Sequence, residues 1–223
     1  MTKVIVIAPH PDDETLGCGG TLLKHKEQGH EIHWVIITKI SDLLNYSIEQ
    51  IQEREWEIDE VEQLYQFDSV RKLAFPAAGL DHSMISDLVR SIGQVFKEIQ
   101  PNVVYIPYRG DVHTDHAVVF DAAIACCKWF RYPSVVKVLV YETLSETEFG
   151  INSDLNGFRP QVFHNIDKYL TAKINIMLKF KSEVAEFPFP RSEEAIRSLA
   201  KVRGVASGCK AAEAFMLLKE VWM

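Results

Sequence analysis

Two short segments concentrate the residue types that do chemistry. His10-Pro11-Asp12-Asp13-Glu14 follows the apolar run Val4-Ile5-Val6-Ile7-Ala8, and Asp111-Val112-His113-Thr114-Asp115-His116 lies about a hundred residues further on. Zinc favours imidazole nitrogen and carboxylate oxygen, and a catalytic zinc site keeps one position open. Adjacent aspartates on a turn point in different directions. One of Asp12 and Asp13 can therefore ligate while the other takes a proton from water that a metal has acidified toward a pKa of about 7. Asp before a helix is also a common N-cap, the plain reading of the first segment taken alone. The second segment weighs against that reading, because it adds two histidines at the start of another helix. One of His113 and His116 can ligate, and the other can donate to a developing oxyanion or protonate a leaving amine. Asp115 can orient a neighbouring imidazole and raise its pKa. The pair of segments supplies an open His2Asp metal site with a base beside it.

Such a site needs the ends of buried strands, since ligands of open α/β sheets bind outside the strands' carboxyl ends. Residues 3–8 read as a buried strand, 15–28 as a helix stopped by Gly29, and Glu31 to Thr38 as a strand. Asp42 to Tyr46 reads as a loop, Ile48 to Tyr65 as a helix, Ser69 to Phe75 as a strand and Met84 to Ile99 as a helix. Val103 to Ile106 reads as a strand, Thr114 to Phe130 as a helix and Val135 to Tyr141 as a strand. This alternation predicts an α/β fold: a Rossmann-like, mostly parallel sheet with helices on both faces and the active site at the carboxyl ends of the strands. Ser145 to Pro160 then reads as a surface loop, Gln161 to His164 as a short strand and Asp167 to Val184 as a helix. Phe187-Pro188-Phe189-Pro190 breaks the chain, and Ser192 to Ala206 reads as a last helix before Gly208. With no repeat or linker, residues 1–223 are read as one domain.

The hydrophobic share of 47% and charged share of 25% suit a soluble globular protein. No apolar run approaches the roughly 18 residues of a membrane span, and no signal peptide is read at the N-terminus, so a cytoplasmic protein is expected. The net charge of −7, with no basic stripe, argues against nucleic acid and for a small-molecule partner. Cys18, Cys126, Cys127 and Cys209 form no C-x-x-C pair and are read as free thiols in a reducing compartment. Gly17-Cys18-Gly19-Gly20 misses the dinucleotide spacing, and the carboxylates before it would repel a pyrophosphate. His30 and His33 are expected at an edge or surface, and His25, His82 and His164 in structural roles. Tryptophans are expected to pack, and the helix Glu49 to Glu62 to present a solvated face. Arg109 divides evenly between a substrate anion and a local acid.

The two motifs resemble those of the PIG-L or LmbE-like family of zinc-dependent N-acetyl sugar deacetylases. The first family motif stands intact as Pro9 to Glu14. The second, typically H-P-D-H, reads His113-Thr114-Asp115-His116, with Thr114 in place of the common proline. Gly17 to Gly20, Arg54-Glu55, Arg203-Gly204, Gly208 and Ala212-Glu213-Ala214-Phe215 extend the resemblance over nearly the whole chain. It implies that His10, Asp13 and His116 bind zinc, although the same donors accept Fe2+ or another divalent metal. It makes Asp12 the general base, and His113 the acid or oxyanion partner supported by Asp115. It sends Arg54 to substrate oxygens. The expected activity is removal of the N-acetyl group from an N-acetylglucosamine-type conjugate, and the resemblance is compatible with a homo-oligomer. The rivals are an amidase for a larger acyl or thiol-conjugate amide, and a non-catalytic metal- or sugar-binding module. The loops Lys39 to Tyr46, Pro76 to Met84 and Ser145 to Pro160 are expected to shape the pocket for the sugar's carrier.

Overall fold

The computed structural model describes residues 1–150 and 157–222; part of the loop expected over Ser145 to Pro160 therefore lies outside the described residues. The apolar runs form strands because they are covered on both sides, which only a continuous run of apolar residues tolerates. In β1 (Lys3–Ala8), successive side chains serve opposite layers. Val4, Val6 and Ala8 face one core, and Ile5 and Ile7 face the other. The chain continues through α1 (Asp13–Glu27), β2 (Glu31–Lys39), α2 (Ile48–Tyr65), β3 (Ser69–Pro76), α3 (Ile85–Ile99), β4 (Val103–Pro107), α4 (Thr114–Ala125) and β5 (Lys137–Tyr141). It ends with β6 (Val162–Asn165), α5 (Leu170–Met177), α6 (Glu193–Ser207) and β7 (Ala212–Glu220).

Among the described residues, seven strands lie in the order β3-β2-β1-β4-β5-β7-β6. The first five in that order are parallel, and β7 pairs antiparallel with both β5 and β6. Side chains of α1, α2, α5 and α6 pack on one face of the sheet, those of α3 and α4 on the other. After β1 the chain builds outward through β2 and β3, then returns to place β4 on the other side of β1. That reversal is the switch point at which α/β sheets open a crevice at their carboxyl edge. It brings together two motifs far apart in sequence.

Several boundaries differ from the sequence expectation. The helix expected to run to Phe130 stops at Ala125, leaving Trp129 and Phe130 exposed. The helix expected over Asp167 to Val184 is shortened to α5, and the chain from Leu178 to Ser192 becomes a strap of turns beside the carboxyl edge. The strand β7 has no counterpart in that expectation. His33 is not at an edge: β2 lies between β1 and β3, so His33 is buried, with Nδ1 2.9 Å from Ser69 Oγ. Among the described residues no helix is long and apolar enough to cross a membrane.

The glycine run in α1 serves close packing. A Cβ on Gly17 would lie 2.2 Å from Tyr141 Cδ2, and one on Gly20 2.7 Å from Ile166 Cβ. A buried ion pair then ties the helix to its neighbours. Lys173 of α5 donates to the Leu16 carbonyl at 2.8 Å and to Glu213 Oε1 at 2.7 Å. The Glu213 carboxylate of β7 also accepts from the Gly20 and Thr21 N–H groups. These contacts fix the start of α1 over the sheet edge, where Asp12 and Asp13 sit.

Candidate active site and metal centre

The loop from β1 into α1 is held by its own carboxylates. Asp13 Oδ2 accepts from the His10 N–H at 2.8 Å, and Glu14 Oε2 accepts from the Asp12 N–H at 3.0 Å. Asp13 and Glu14 also lie in the first turn of α1, where the helix dipole favours negative charge. Asp12 stands at the N-cap position, yet its side chain makes no capping bond. Its backbone has φ 131°, a region that side chains other than glycine rarely adopt and that clusters at functional sites. The carboxyl is left free beside the cleft, with Arg191 Nη1 3.9 Å from its Oδ2. Burial, followed by the nearby Asp13 and Glu183, pushes the Asp12 carboxyl well above the usual carboxylate range; Arg191 and Arg54 pull the other way.

His10, Asp13 and His116 each offer one ligand atom, all within 4.8 Å of one another. His116 Nδ1 lies 2.7 Å from Asp111 Oδ2, and Asp111 Oδ1 accepts from Thr147 Oγ1 at 2.6 Å. A carboxylate on Nδ1 fixes the tautomer and leaves Nε2 as the ligating nitrogen. His116 Nε2 is buried, has no hydrogen-bond partner and sits 3.4 Å from Asp13 Oδ2. An unsatisfied nitrogen facing a carboxylate oxygen in a dry site fits a divalent cation. Asp13 is held low despite its burial by the charges of His116 and His10. Against the lowering effect of burial, the carboxylates of Asp115 and Asp13 raise His10 to about 9. A second trio, His10, His113 and Asp115, is equally compact, but its donors are committed. Asp115 accepts from the Ala78 and Leu80 N–H groups, and His113 Nδ1 accepts from the Asp115 N–H at 3.2 Å.

That last bond corrects an expectation. The Asp115 carboxylate makes no hydrogen bond to His113, which the residue touches through its backbone N–H and favours only by its charge; the carboxylate Oδ2 lies 3.0 Å from His10 Nε2. His113 is lowered to about 4, by burial and then by the charge of His10. With Nδ1 accepting from the Asp115 N–H, a neutral His113 ring carries its proton on Nε2.

A cleft of about 520 Å3 opens on His10, Asp12, Asp13 and His113 and runs along the end of β2, the first half of α2 and the 182–191 strap. Arg54 lines it, and each of its three nitrogens already has a partner. Nη1 donates to the Pro11 carbonyl, Nη2 to Ser182 and Glu183, and Nε lies 3.1 Å from Glu57. In place of the expected substrate contact, Arg54 braces the His10–Asp13 loop against the strap. Arg109 is not in the cleft: it grips Asp121 with Nε at 2.6 Å and Nη2 at 3.1 Å, the local-acid alternative. Three contributors escape a reading of the sequence. Asp111 is in view beside the motif, but its contact with His116 depends on how the loop curls. Glu183 and Arg191 give no signal, because both reach the site from a segment that reads as helix end and chain break.

The crevice at the carboxyl edge thus gathers a carboxyl group, a histidine and a His2Asp trio that could hold a cation. Residues 5–127 match the family model described as PIG-L: GlcNAc-PI de-N-acetylase, and the chain belongs to that family. An uncharacterized deacetylase of Escherichia coli K12, YaiS, is 27% identical over 185 residues, covering 80% of this chain and 90% of its own. The diacetylchitobiose deacetylase of Thermococcus kodakarensis is 21% identical, over 100% of this chain and 85% of its own. Among solved structures, a conserved protein of Thermus thermophilus has a TM-score of 0.80 at 24% identity, covering 100% of this chain and 97% of its own.

Proposed function

We propose that this protein hydrolyses the N-acetyl group of an N-acetylglucosamine-type conjugate, yielding acetate and a free amine, with a divalent ion, zinc first, held by His10, Asp13 and His116. The observation that carries this reading is the orphaned, buried His116 Nε2 beside Asp13, with the uncapped Asp12 carboxyl on the cleft side. An ion bound there would polarise the acetamide carbonyl and acidify a water. Asp12 takes a proton from the attacking water as it adds to the carbonyl carbon, and its raised pKa suits it to return that proton to the leaving nitrogen as the C–N bond breaks. His113 donates from Nε2 to the oxyanion, and its depressed pKa keeps it neutral while doing so. Asp115 holds His10, and Asp111 holds His116.

The test is acetate release from N-acetylglucosamine conjugates by zinc-loaded wild type and Asp12→Asn, with metal content measured on both. Turnover by wild type alone, at equal metal content, is expected; equal turnover by the variant removes Asp12 as the base. A second reading draws on the apolar side chains Ile36, Ile40, Ile58 and Ala74 along the same cleft, which would accommodate an acyl group larger than acetyl. Comparing acetate with hexanoate release from otherwise identical amides separates the two.

A further inference from the structure

The cleft holds more carboxyl groups than the chemistry of amide cleavage requires. Among the described residues, five besides Asp12 and Asp13 line it against four Lys or Arg side chains, and each of those four already has a carboxylate. Arg54 engages Glu57 and Glu183, and Arg191 engages Glu183 with Nη2 at 2.9 Å. Lys39 and Lys72 share Glu55, at 3.7 Å and 2.8 Å. The open groups are acids. Glu53 meets only Lys181, at 4.0 Å, and Glu146 accepts from its neighbour Ser145 with no Lys or Arg within 4 Å among the described residues. Residues 151–156 contain no Lys or Arg.

Building on the deacetylase reading, we infer that this cleft selects amino-sugar conjugates whose carrier is neutral or bears an amine, and rejects carriers with a carboxylate or phosphate. An anion entering the cleft away from the His10–Asp13–His116 trio finds no unengaged Lys or Arg among the described residues. Lys39 or Lys72 can turn toward it only by leaving Glu55, whose carboxylate then faces the same anion. Low-dielectric walls focus such a field, and an unpaired like charge is an efficient way to exclude the wrong ligand. An amine or a set of hydroxyls meets Glu53 and Glu146 instead.

The test uses three glycosides of N-acetylglucosamine of matched size: methyl, 2-aminoethyl and carboxymethyl. Binding is measured by calorimetry on zinc-loaded Asp12→Asn, and acetate release on wild type. The aminoethyl glycoside should bind at least as tightly as the methyl, and the carboxymethyl about tenfold more weakly. The gap should narrow in high salt and in the double variant Glu53→Gln/Glu146→Gln. Carboxymethyl binding as tight as methyl, or a gap indifferent to both salt and substitution, overturns the selection. The same binding order without acetate release from any glycoside overturns the deacetylase reading and leaves the selection standing. No binding by any of the three counts against both.

Discussion

In the proposed reaction Asp12 and His116 are prepared in opposite ways. Asp12 is held by its backbone, through the Glu14 carboxylate on its N–H, and its carboxyl is left uncommitted. His116 is held by its side chain, through Asp111, and one nitrogen is left over. Asp12→Asn should lower kcat by about 10²–10⁴ with metal content unchanged, the range of a lost acid–base group. Asp111→Asn should instead weaken metal binding by about 10–100-fold, since the amide no longer charges or orients the ring. Competition with a chromophoric chelator reads this directly; an unaltered affinity would remove Asp111 from the site. The motif residues are legible in the sequence because the second His and Asp segment weighs against a plain N-cap for the first, and the pair resembles a known family's motifs. Asp111, Glu183 and Arg191 are hidden there, since their meaning lies in partners that only the folded loops bring near. Asp115 misleads, because two residues' separation from His113 does not say which imidazole a carboxylate will meet.

The parallel strands are readable because burial on both faces forces an unbroken apolar run. The last strand is not. Ala212-Glu213-Ala214-Phe215-Met216-Leu217-Leu218-Lys219-Glu220 is built largely of good helix formers, and it is extended because β5 and β6 pair with it on both sides. Context overrides propensity more readily in strands than in helices. The strand also brings Glu213 to α1, where Lys173 completes the pair, both nearly inaccessible. Removing one partner of a buried pair strands a charge and costs about 3–5 kcal/mol. Lys173→Met should show that loss in urea unfolding, and adding Glu213→Gln should recover part of it by removing the charge. A Lys173→Met variant as stable as wild type would mean that the pair does not hold α1.

For the molecule as a whole, acid should be felt through histidines outside the site. His25 sits 2.9 Å from the Tyr105 hydroxyl and 2.8 Å from His30. Burial, then the charges of His30 and His164, depresses it to about 3. Below about pH 6.5 the unfolded chain takes a proton that the folded chain refuses. Its contribution is therefore full above that pH and drains away as pH falls toward 3, at about 1.4 kcal/mol per unit. His25→Gln should gain on wild type by that slope between neutral pH and about 4.5 in urea titrations; a constant difference would mean that His25 protonates freely in the fold. The placement of the proposed metal donors carries a separate consequence. His10 and His116 come from opposite sides of the switch point, with α1, β2, α2, β3, α3 and β4 between them. An ion cannot gather them early, because closing so long a loop is entropically unfavourable until the sheet has already done it. A metal centre built on them would thus be a product of folding rather than a template for it, unlike small zinc domains that are unfolded without their metal. A chelator should abolish turnover and lower Tm only through lost binding energy, leaving the far-ultraviolet circular dichroism unchanged, and returning zinc should restore activity without a refolding lag.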